Sequence, residues 1–535
     1  YVQLGAEVSA DVLRAHYQTT GKLWHEESMI CQSAGRMLDA LNNNPDPVDF
    51  LYAGDPSLQI DDESQVAPFY FKLRAVEALN PAVVMFEADE NDASAPLMTV
   101  ANQILNQLGY AMQHKAVSVN GSNRIVVLGI SQGLAKHDWT QLVDLPIGSF
   151  VPECPSSEHF DSCIDHHRSS EPGHNVSRRS QDRCESLMTA LSSQQPLSGL
   201  SLFHGGGILA RAFHRGFASA GIASKVAVAV ELESNYLSSS LINNSSVWSE
   251  DSFAIQGSIH CVRPTLRSPQ CHFAELGIPC TGASRSGRTK NKLANPEEHS
   301  GAGSMFYWAL RNWEASNPAF GVIENVVEYS STVSMAVIRD TLKVLGYRFY
   351  ERNLSGAEFG ALEDRKRMCF LAVTDALPDV FNLDNVVPIR SKESCLGDVL
   401  EDIPLDDPMY KTYDYLARKE AADIDAGKGF RRQLLTPEAP RVGTIGRGYA
   451  KARSTEPFLI HAENPELSRL LTLTEHARVK TIPEMLVAGL SVTTGHEILG
   501  QSINFCSFEA VAFSLGQSLS VLRESQPTDA VLLAA

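Results

Sequence analysis

Along the chain, short apolar runs alternate with stretches whose apolar positions recur at helical spacing. The runs at 226–230 (VAVAV) and 320–323 (FGVI) are strand-like and lead into Glu231 and Glu324. The stretch 333–345 carries helical spacing and stops at Gly346, a residue that ends helices readily. Alternation of this kind predicts a doubly wound α/β sheet. Two stretches break it. Residues 152–196 are rich in Ser, His and charge and predict a linker, and residues about 376–468 form an irregular, Gly- and Arg-containing insertion. No apolar run approaches the roughly 18 residues of a membrane span, which predicts no membrane partner.

The pattern also repeats. Segment 69–110 aligns without gaps on 306–347, an offset of 237, with 17 of 42 positions identical. Upstream the offset is 224: Glu7 falls on Glu231, and LWHEES at 23–28 falls on VWSEDS at 247–252. Between them, LYAGDPS at 51–57 falls on AELGIPC at 274–280. Order and spacing persist over more than a hundred residues, which predicts a duplicated unit.

Composition narrows this picture in two ways. The net charge is -18 over 535 residues, but 1–196 holds 12 Lys+Arg against 25 Asp+Glu, and the remainder holds 33 against 38. Any surface that binds a polyanion therefore belongs to the second part. Ten cysteines without regular spacing fit a reducing cytoplasm, where a free thiolate can serve as a nucleophile. The chain starts at Tyr1 rather than Met, and native residues are expected before it.

The candidate chemistry lies in the second unit. LSLFHGGG at 200–207 is an apolar strand running into glycines, a turn that lets backbone approach a cofactor; Glu231, ending the next strand, can bind ribose hydroxyls. GIPC at 277–280 follows another strand and continues into TGASRSG at 281–287, a run of small and basic residues that suggests a loop. Glu324-Asn325-Val326 ends a further strand. Taken alone, each of these is as compatible with an ordinary turn, a buried thiol or a strand cap.

Together, and in this order, they resemble the DNA cytosine-5 methyltransferase family. GALEDRKR at 360–367 resembles its Arg-x-Arg motif, RLLTLTEHAR at 469–478 is close to its Arg-x-Leu-Thr-x-x-Glu-x-Ala-Arg signature, and GQSI at 500–503 resembles its closing Gly-Asn-Ser-Val. The resemblance implies a Rossmann-like, S-adenosylmethionine-dependent methyltransferase fold acting on double-stranded DNA. It implies Cys280 as nucleophile at cytosine C6, with Glu324, Asn325, Arg365 and Arg367 completing the catalytic set. It implies cofactor contacts at Phe203, Gly205, Gly207, Glu231, Asp251, Pro279 and Ser502. DNA contacts are expected at Arg285, Arg288 and Lys290 of the Pro-Cys loop, with Lys292 beside them, and at Arg441, Arg447 and Arg453 of the insertion. Departures from the family's pattern are Ser201 for Asp, Ile208 for the second glycine of a Gly-Gly pair, Thr281 for Gln, Leu362-Glu363 for Pro-Gln and Gln501 for Asn.

The first unit lacks this chemistry. Ser57, with Asp55 beside it, stands at the Cys280 position; Ala88-Asp89 replaces Asn325-Val326; Arg124 falls on Arg367, and Arg365 has no counterpart. The expected organisation is a degenerate methyltransferase-like domain (1–151), a linker (152–196), a catalytic domain (197–375 and 469–535) and a target-recognition domain (376–468). The first copy is expected to pack against the second. Cys154, Cys163, His166, His167, His174 and Cys184 match no common zinc spacing, and no metal is expected. A prokaryotic or phage enzyme, cytoplasmic and of restriction-modification type, fits this reading. An RNA cytosine-5 methyltransferase, or a non-catalytic DNA-binding regulator, stays open as an alternative.

Overall fold

The computed structural model describes residues 2–3, 50–54, 67–89, 96–119, 122–132, 174–262, 264, 268–280, 282–283, 296–427 and 432–524. Three sheets organise them. The first holds β1 (Val2–Gln3), β2 (Phe50–Gly54), β3 (Val83–Asp89), β4 (Tyr110–Val119) and β5 (Ser122–Ser131), in the order β1-β2-β3-β5-β4. The second holds β6 (Leu197–Leu202), β7 (Ser224–Glu231), β8 (Phe253–Gln256), β9 (Phe273–Gly277), β10 (Phe320–Asn325), β11 (Tyr347–Ser355) and β12 (Lys366–Thr374). Its order is β11-β12-β10-β9-β6-β7-β8, mostly parallel, with β12 antiparallel to both neighbours. The third, inside the expected insertion, holds β13 (Gln433–Leu435), β14 (Pro457–Ile460) and β15 (Ser468–Arg469).

Helices cover both faces of the second sheet, as its strands require. Along β12, Met368, Phe370 and Ala372 enter one core while Cys369, Leu371 and Val373 enter the other, the period-two alternation of a sheet buried on both sides. The first core also takes in α1 (Ala67–Leu79) and α2 (Pro96–Gln107) of the first unit. The second contains α3 (His174–Ser192) and α4 (Ile208–Ser219), while α5 (Ser234–Asn243) lies beside β7. Completing the chain order are α6 (Met305–Ser316), α7 (Val333–Val344), α8 (Asp414–Asp425), α9 (Leu473–Val479), α10 (Val492–Gln501) and α11 (Phe505–Glu524). Helices α4 and α11 touch closely because Gly216 has no side chain: a Cβ there would lie 2.5 Å from the Glu509 carbonyl oxygen.

Corresponding positions of the two units share backbone detail. Tyr110 donates to the Pro81 carbonyl and Tyr347 to that of Pro318, each at 2.7 Å. Asn80 and Asn317, ending α1 and α6, both adopt left-handed φ values, 43° and 44°. Contacts between the units are reciprocal. The Tyr70 hydroxyl donates to Glu314, and that of Tyr307 to Glu77 at 3.2 Å; Arg74 faces Glu314 at 3.4 Å, and Arg311 faces Glu77 at 2.6 Å. At offset 237 the triplet Tyr70, Arg74, Glu77 becomes Tyr307, Arg311, Glu314.

Several expectations change. Residues 152–196 are not all linker: α3 occupies the second part, and Leu187, Ala190 and Leu191 enter the core. Its few apolar residues come late among serines and arginines, which hides the helical period. Strand β1, aligned in sequence with β7, lies directly against β2, the place held by β6 in the second sheet. Unpaired backbone on β2 would otherwise be left without partners. Helix α11 is long and apolar enough to cross a membrane, with a mean hydropathy of 1.3, contrary to the expectation that no run approaches that length. Two thirds of that window (67%) is buried in the protein interior, as in a core helix. Residues 376–468 contribute Leu396, Val399, Val442, Ile445, Tyr449 and Leu459 to a small third core, which they share with Leu362, Leu471 and Val479 from outside that range.

The reciprocal contacts generate a test. Glu314 is buried and receives Tyr70, Arg74 and Arg311. Glu314→Ala removes a carboxylate shared by two buried guanidinium groups and a buried hydroxyl and is expected to cost about 3 to 5 kcal/mol in urea unfolding. Glu484→Ala, at the exposed Arg478–Glu484 pair, is expected to cost less than about 1 kcal/mol. Equal effects of the two substitutions would contradict this account.

Candidate active site

The strand ends decide what can meet. Strands β9 and β10 are parallel, with Glu324 opposite Gly277, so the Pro279-Cys280 segment leaves the sheet beside the Glu324 carboxylate. Strand β12 runs back along β10, with Asn325 opposite Met368, and brings Arg367 to the same end. The Arg367 Nε lies 2.7 Å from a Glu324 carboxylate oxygen. Three sequence segments of the expected catalytic set thus converge at one edge of the sheet.

Asn325 has a different place from the one expected. Its amide donates to the Ile278 carbonyl at 3.1 Å and accepts from the Val326 N–H at 2.9 Å, and the side chain is buried. It fastens the Pro-Cys segment to β10 and is a positioning residue. Arg365 is almost fully buried, donating to the Ile445 carbonyl at 3.3 Å and to that of Gln501 at 3.4 Å. Burial, then the Arg367 charge, lower its pKa to about 10.

Cys280 is partly buried against the first core. Burial pushes its thiol up, opposed by Arg367 and Arg365 and reinforced by Glu324. The resting group is therefore a thiol, and the two guanidinium groups are what favour its thiolate.

The cofactor side is built on β6 and β7. Phe203, Gly205 and Gly207 all take left-handed φ values (57°, 58° and 74°), which glycine adopts without strain and phenylalanine does not. A Cβ at Gly205 would meet nothing within 4 Å, so this turn faces open space. Glu231 accepts from the Gly205 N–H at 2.7 Å and the Glu233 N–H at 2.8 Å; burial raises its carboxyl while these bonds oppose the rise. Next to it Leu232 leaves 59% of its surface exposed. Pro279 is half-buried next to Cys280, and the Ser502 hydroxyl caps α10 through the Leu499 carbonyl at 2.7 Å.

Two expected contacts do not join these groups. Asp251 precedes β8 at the opposite end of the sheet, 89% exposed and 3.6 Å from Lys225, so the cofactor assignment made for it is incorrect. Arg447 lies 3.6 Å from Glu233 and 3.8 Å from Glu497, with Tyr236 beneath it, rather than standing free for phosphate. Arg441 and Arg453 are exposed. Arg285, Arg288, Lys290, Lys292, Thr281, Ser57, Asp55, Cys154, Cys163, His166 and His167 lie outside the described residues. Among the described residues no group of three or more metal-ligating side chains occurs.

Sequence reasoning missed a buried polar layer beneath the site. Lys480 Nζ lies 2.8 Å from Glu363, which also accepts from the Ile445 N–H at 2.8 Å, and His476 and His496 meet ring to ring with their Nδ1 atoms 2.9 Å apart. Glu363, a departure from the family's Gln, was the available signal, because a buried acid needs a partner.

The sequence model of the family described as C-5 cytosine-specific DNA methylase matches residues 197–517. The chain is similar to the Type II methyltransferase M.SsoII of Shigella sonnei, 25% identical over 252 residues, covering 44% of this chain and 61% of that protein. It is also 25% identical over 265 residues to the Type II methyltransferase M.MspI of Moraxella sp, covering 49% and 60%. The alignments thus span about three fifths of these relatives. Among solved structures, the S. pombe Dnmt2 methyltransferase matches with a TM-score of 0.46 at 18% identity, covering 61% of this chain and 99% of that one.

The electrostatics of the thiol can be checked directly. Arg367→Met removes the nearest positive charge, so the thiolate loses stabilisation and the Cys280 pKa moves further up. Iodoacetamide labelling of Cys280, followed by mass spectrometry across pH, is expected to reach half its maximal rate at higher pH in the variant. An unshifted profile would mean that Arg367 does not bias the thiol.

Proposed function

The chain belongs to the C-5 cytosine-specific DNA methylase family, and from that premise we propose that it methylates C5 of cytosine in double-stranded DNA, using S-adenosylmethionine and Cys280 as nucleophile. The observation that carries the proposal is the meeting of Cys280, Glu324 and Arg367 at the strand ends, on the sheet edge that also bears the open glycine turn. The names of the two curated relatives support a modification-type methyltransferase.

The residues present fit the cofactor. Gly205 offers backbone to open space, Glu231 brings a buried carboxylate to the turn, and the exposed Leu232 gives an apolar surface for a purine. When bound, S-adenosylmethionine supplies an electrophilic methyl group. The protein's part is to make cytosine C5 able to accept it. The Cys280 thiolate adds to C6, which turns the C5–C6 bond into an enamine. Glu324, held by Arg367, hydrogen-bonds N3 and stabilises the charge that develops as sulfur adds. Asn325 keeps Ile278 and hence the Pro-Cys segment at the right height. Loss of the C5 proton and expulsion of the thiolate complete the exchange. The base must leave the duplex for any of this, since stacking hides C6.

We further read residues 1–151 as a degenerate copy of the unit that packs against the second through equivalent surfaces, and 376–468 as the target-recognition domain. Reciprocal Tyr–Glu and Arg–Glu contacts support the first reading, since a twofold arrangement places residue i against j and j against i. The small third core, built mostly from this segment, and the exposed Arg441 and Arg453 support the second.

Cys280→Ala is expected to abolish methyl transfer to duplex DNA in a tritiated-methyl assay while leaving the unfolding midpoint near wild type. Wild type should form an irreversible adduct with DNA containing 5-fluorocytosine, because fluorine cannot leave as a proton does. Normal turnover by the variant would overturn the assignment.

For DNA binding, Arg441→Ala and Arg453→Ala are each expected to reduce the salt dependence by about one unit of slope. Arg447→Ala, whose guanidinium already faces two carboxylates, is expected to change the slope less. Unchanged slopes in all three variants would place the DNA surface elsewhere.

A further inference from the structure

Ser201, on β6, stands where the family's pattern has aspartate. Its cross-strand neighbour on β9 is Glu275, so a carboxylate is present one strand over. Both side chains are buried, with Ser201 1% and Glu275 2% exposed. On its other side the Ser201 hydroxyl lies 2.7 Å from His204 Nδ1, and His204 Nε2 lies 2.7 Å from the Ser240 hydroxyl on α5. His204 and Ser240 are buried as well. Three side chains from β6, the glycine turn and α5 thus form one continuous chain of hydrogen bonds, with the Glu275 carboxyl buried on the neighbouring strand.

The glycine turn rests on that chain. A Cβ at Gly207 would lie 2.4 Å from the Ser240 hydroxyl and 2.8 Å from His204 Nε2, and Asn244 donates to the Gly207 carbonyl at 2.9 Å. The Trp248 ring, 5.2 Å from the imidazole, closes the remaining side.

We propose that Ser201, His204 and Ser240 are positioning residues that hold the glycine turn in the shape the cofactor needs, in place of the carboxylate missing at position 201. The proposal rests on the cofactor reading above. A neutral imidazole donates from one nitrogen and accepts at the other, so the chain has to run in one direction. Burial keeps His204 neutral, lowering its pKa to about 4. The ring then accepts from one of the two hydroxyls, Ser201 or Ser240, and donates to the other. A polar group lost from the middle of such a buried chain leaves its neighbours unsatisfied.

The test uses the full chain, with S-adenosylhomocysteine as the calorimetric probe and steady-state methylation of duplex DNA as the second readout. His204→Phe keeps the ring and removes both hydrogen bonds. It is expected to weaken the probe on the order of tenfold and to raise KM for S-adenosylmethionine, with kcat at saturation within about twofold of wild type. Ser240→Ala, which cuts the chain at its end and is the gentler change, is expected to weaken the probe several-fold. The double substitution Ser201→Asp with His204→Ala, which returns a carboxylate to β6, is expected to recover most of the affinity. Wild-type affinity in both His204→Phe and Ser240→Ala, or a double variant no better than His204→Phe, would overturn the proposal. Failure of wild type itself to bind the probe would instead remove the cofactor reading on which it stands.

Discussion

Strand β10 is paired along both edges, parallel to β9 and antiparallel to β12, and its register fixes three loops at once. Cys280, Glu324 and Arg367 lie dozens of residues apart in sequence, yet Cys280 is the third residue past β9, Glu324 the next-to-last of β10 and Arg367 the second of β12. A slip of one residue would send Glu324 to the opposite face and Asn325 into its place. Close packing of two different cores opposes that slip, because Val322, Leu371 and Val373 on one face would trade places with Ile323, Phe370 and Ala372, side chains of other shapes and volumes. Packing far below the site therefore sets a distance of 2.7 Å at its mouth.

Underneath the arginines lies a layer of buried charge that apolar packing cannot provide. Burial alone would raise the Glu363 carboxyl, but Lys480 and Arg365 more than offset it and hold it below the usual range. Glu363 reaches Ile445 of the insertion, and Lys480 reaches the Ser502 carbonyl at 3.3 Å. A bidentate Arg469–Glu475 pair, 2.6 and 2.7 Å, anchors the return of the chain from the insertion. Pairs of this kind add little net stability over apolar residues, but losing one partner strands the other, so they fix geometry. The elements so fixed are the arginine loop, the insertion and the cofactor-side turn.

The sequence made the strand–helix alternation and the order of motifs legible because both are local. Strand ends carry acids, glycine turns follow apolar runs, and helices stop at Gly346. What escaped it depended on contacts between distant segments. Nothing local says that Asn325 bonds to Ile278 rather than to substrate, or that Arg447 faces Glu233 and Glu497. Asp251 was misassigned because a family resemblance is read along the chain, whereas chemistry belongs to the edge where parallel strands finish, and Asp251 precedes β8 at the other edge. Helix α3 was hidden for a related reason: its burial rests on Arg183, which packs on Tyr347 at 3.8 Å, as much as on leucines.

That helix explains how the interface between the units reaches the catalytic strand. Glu314, which receives Tyr70 and Arg74 across the interface, sits on α6 just before Asn317 and the start of β10. Arg179 of α3 donates to the Glu314 carbonyl, and Arg183 donates to Asn317 at 3.3 Å and to the Gly346 carbonyl at 2.7 Å. Arg183 also reaches Thr374, the last residue of β12, at 2.7 Å. One helix thus clamps the beginnings of β10 and β11 and the end of β12, the ends opposite to the site. Burial lowers the Arg183 pKa, and five carbonyl or hydroxyl acceptors surround the charge, with no carboxylate hydrogen-bonded to it among the described residues. Such an arrangement tolerates little movement, because each acceptor lost uncovers a buried guanidinium N–H. Contacts between the two units and the register of β10 are therefore held by the same few groups, and a disturbance of one is felt by the other.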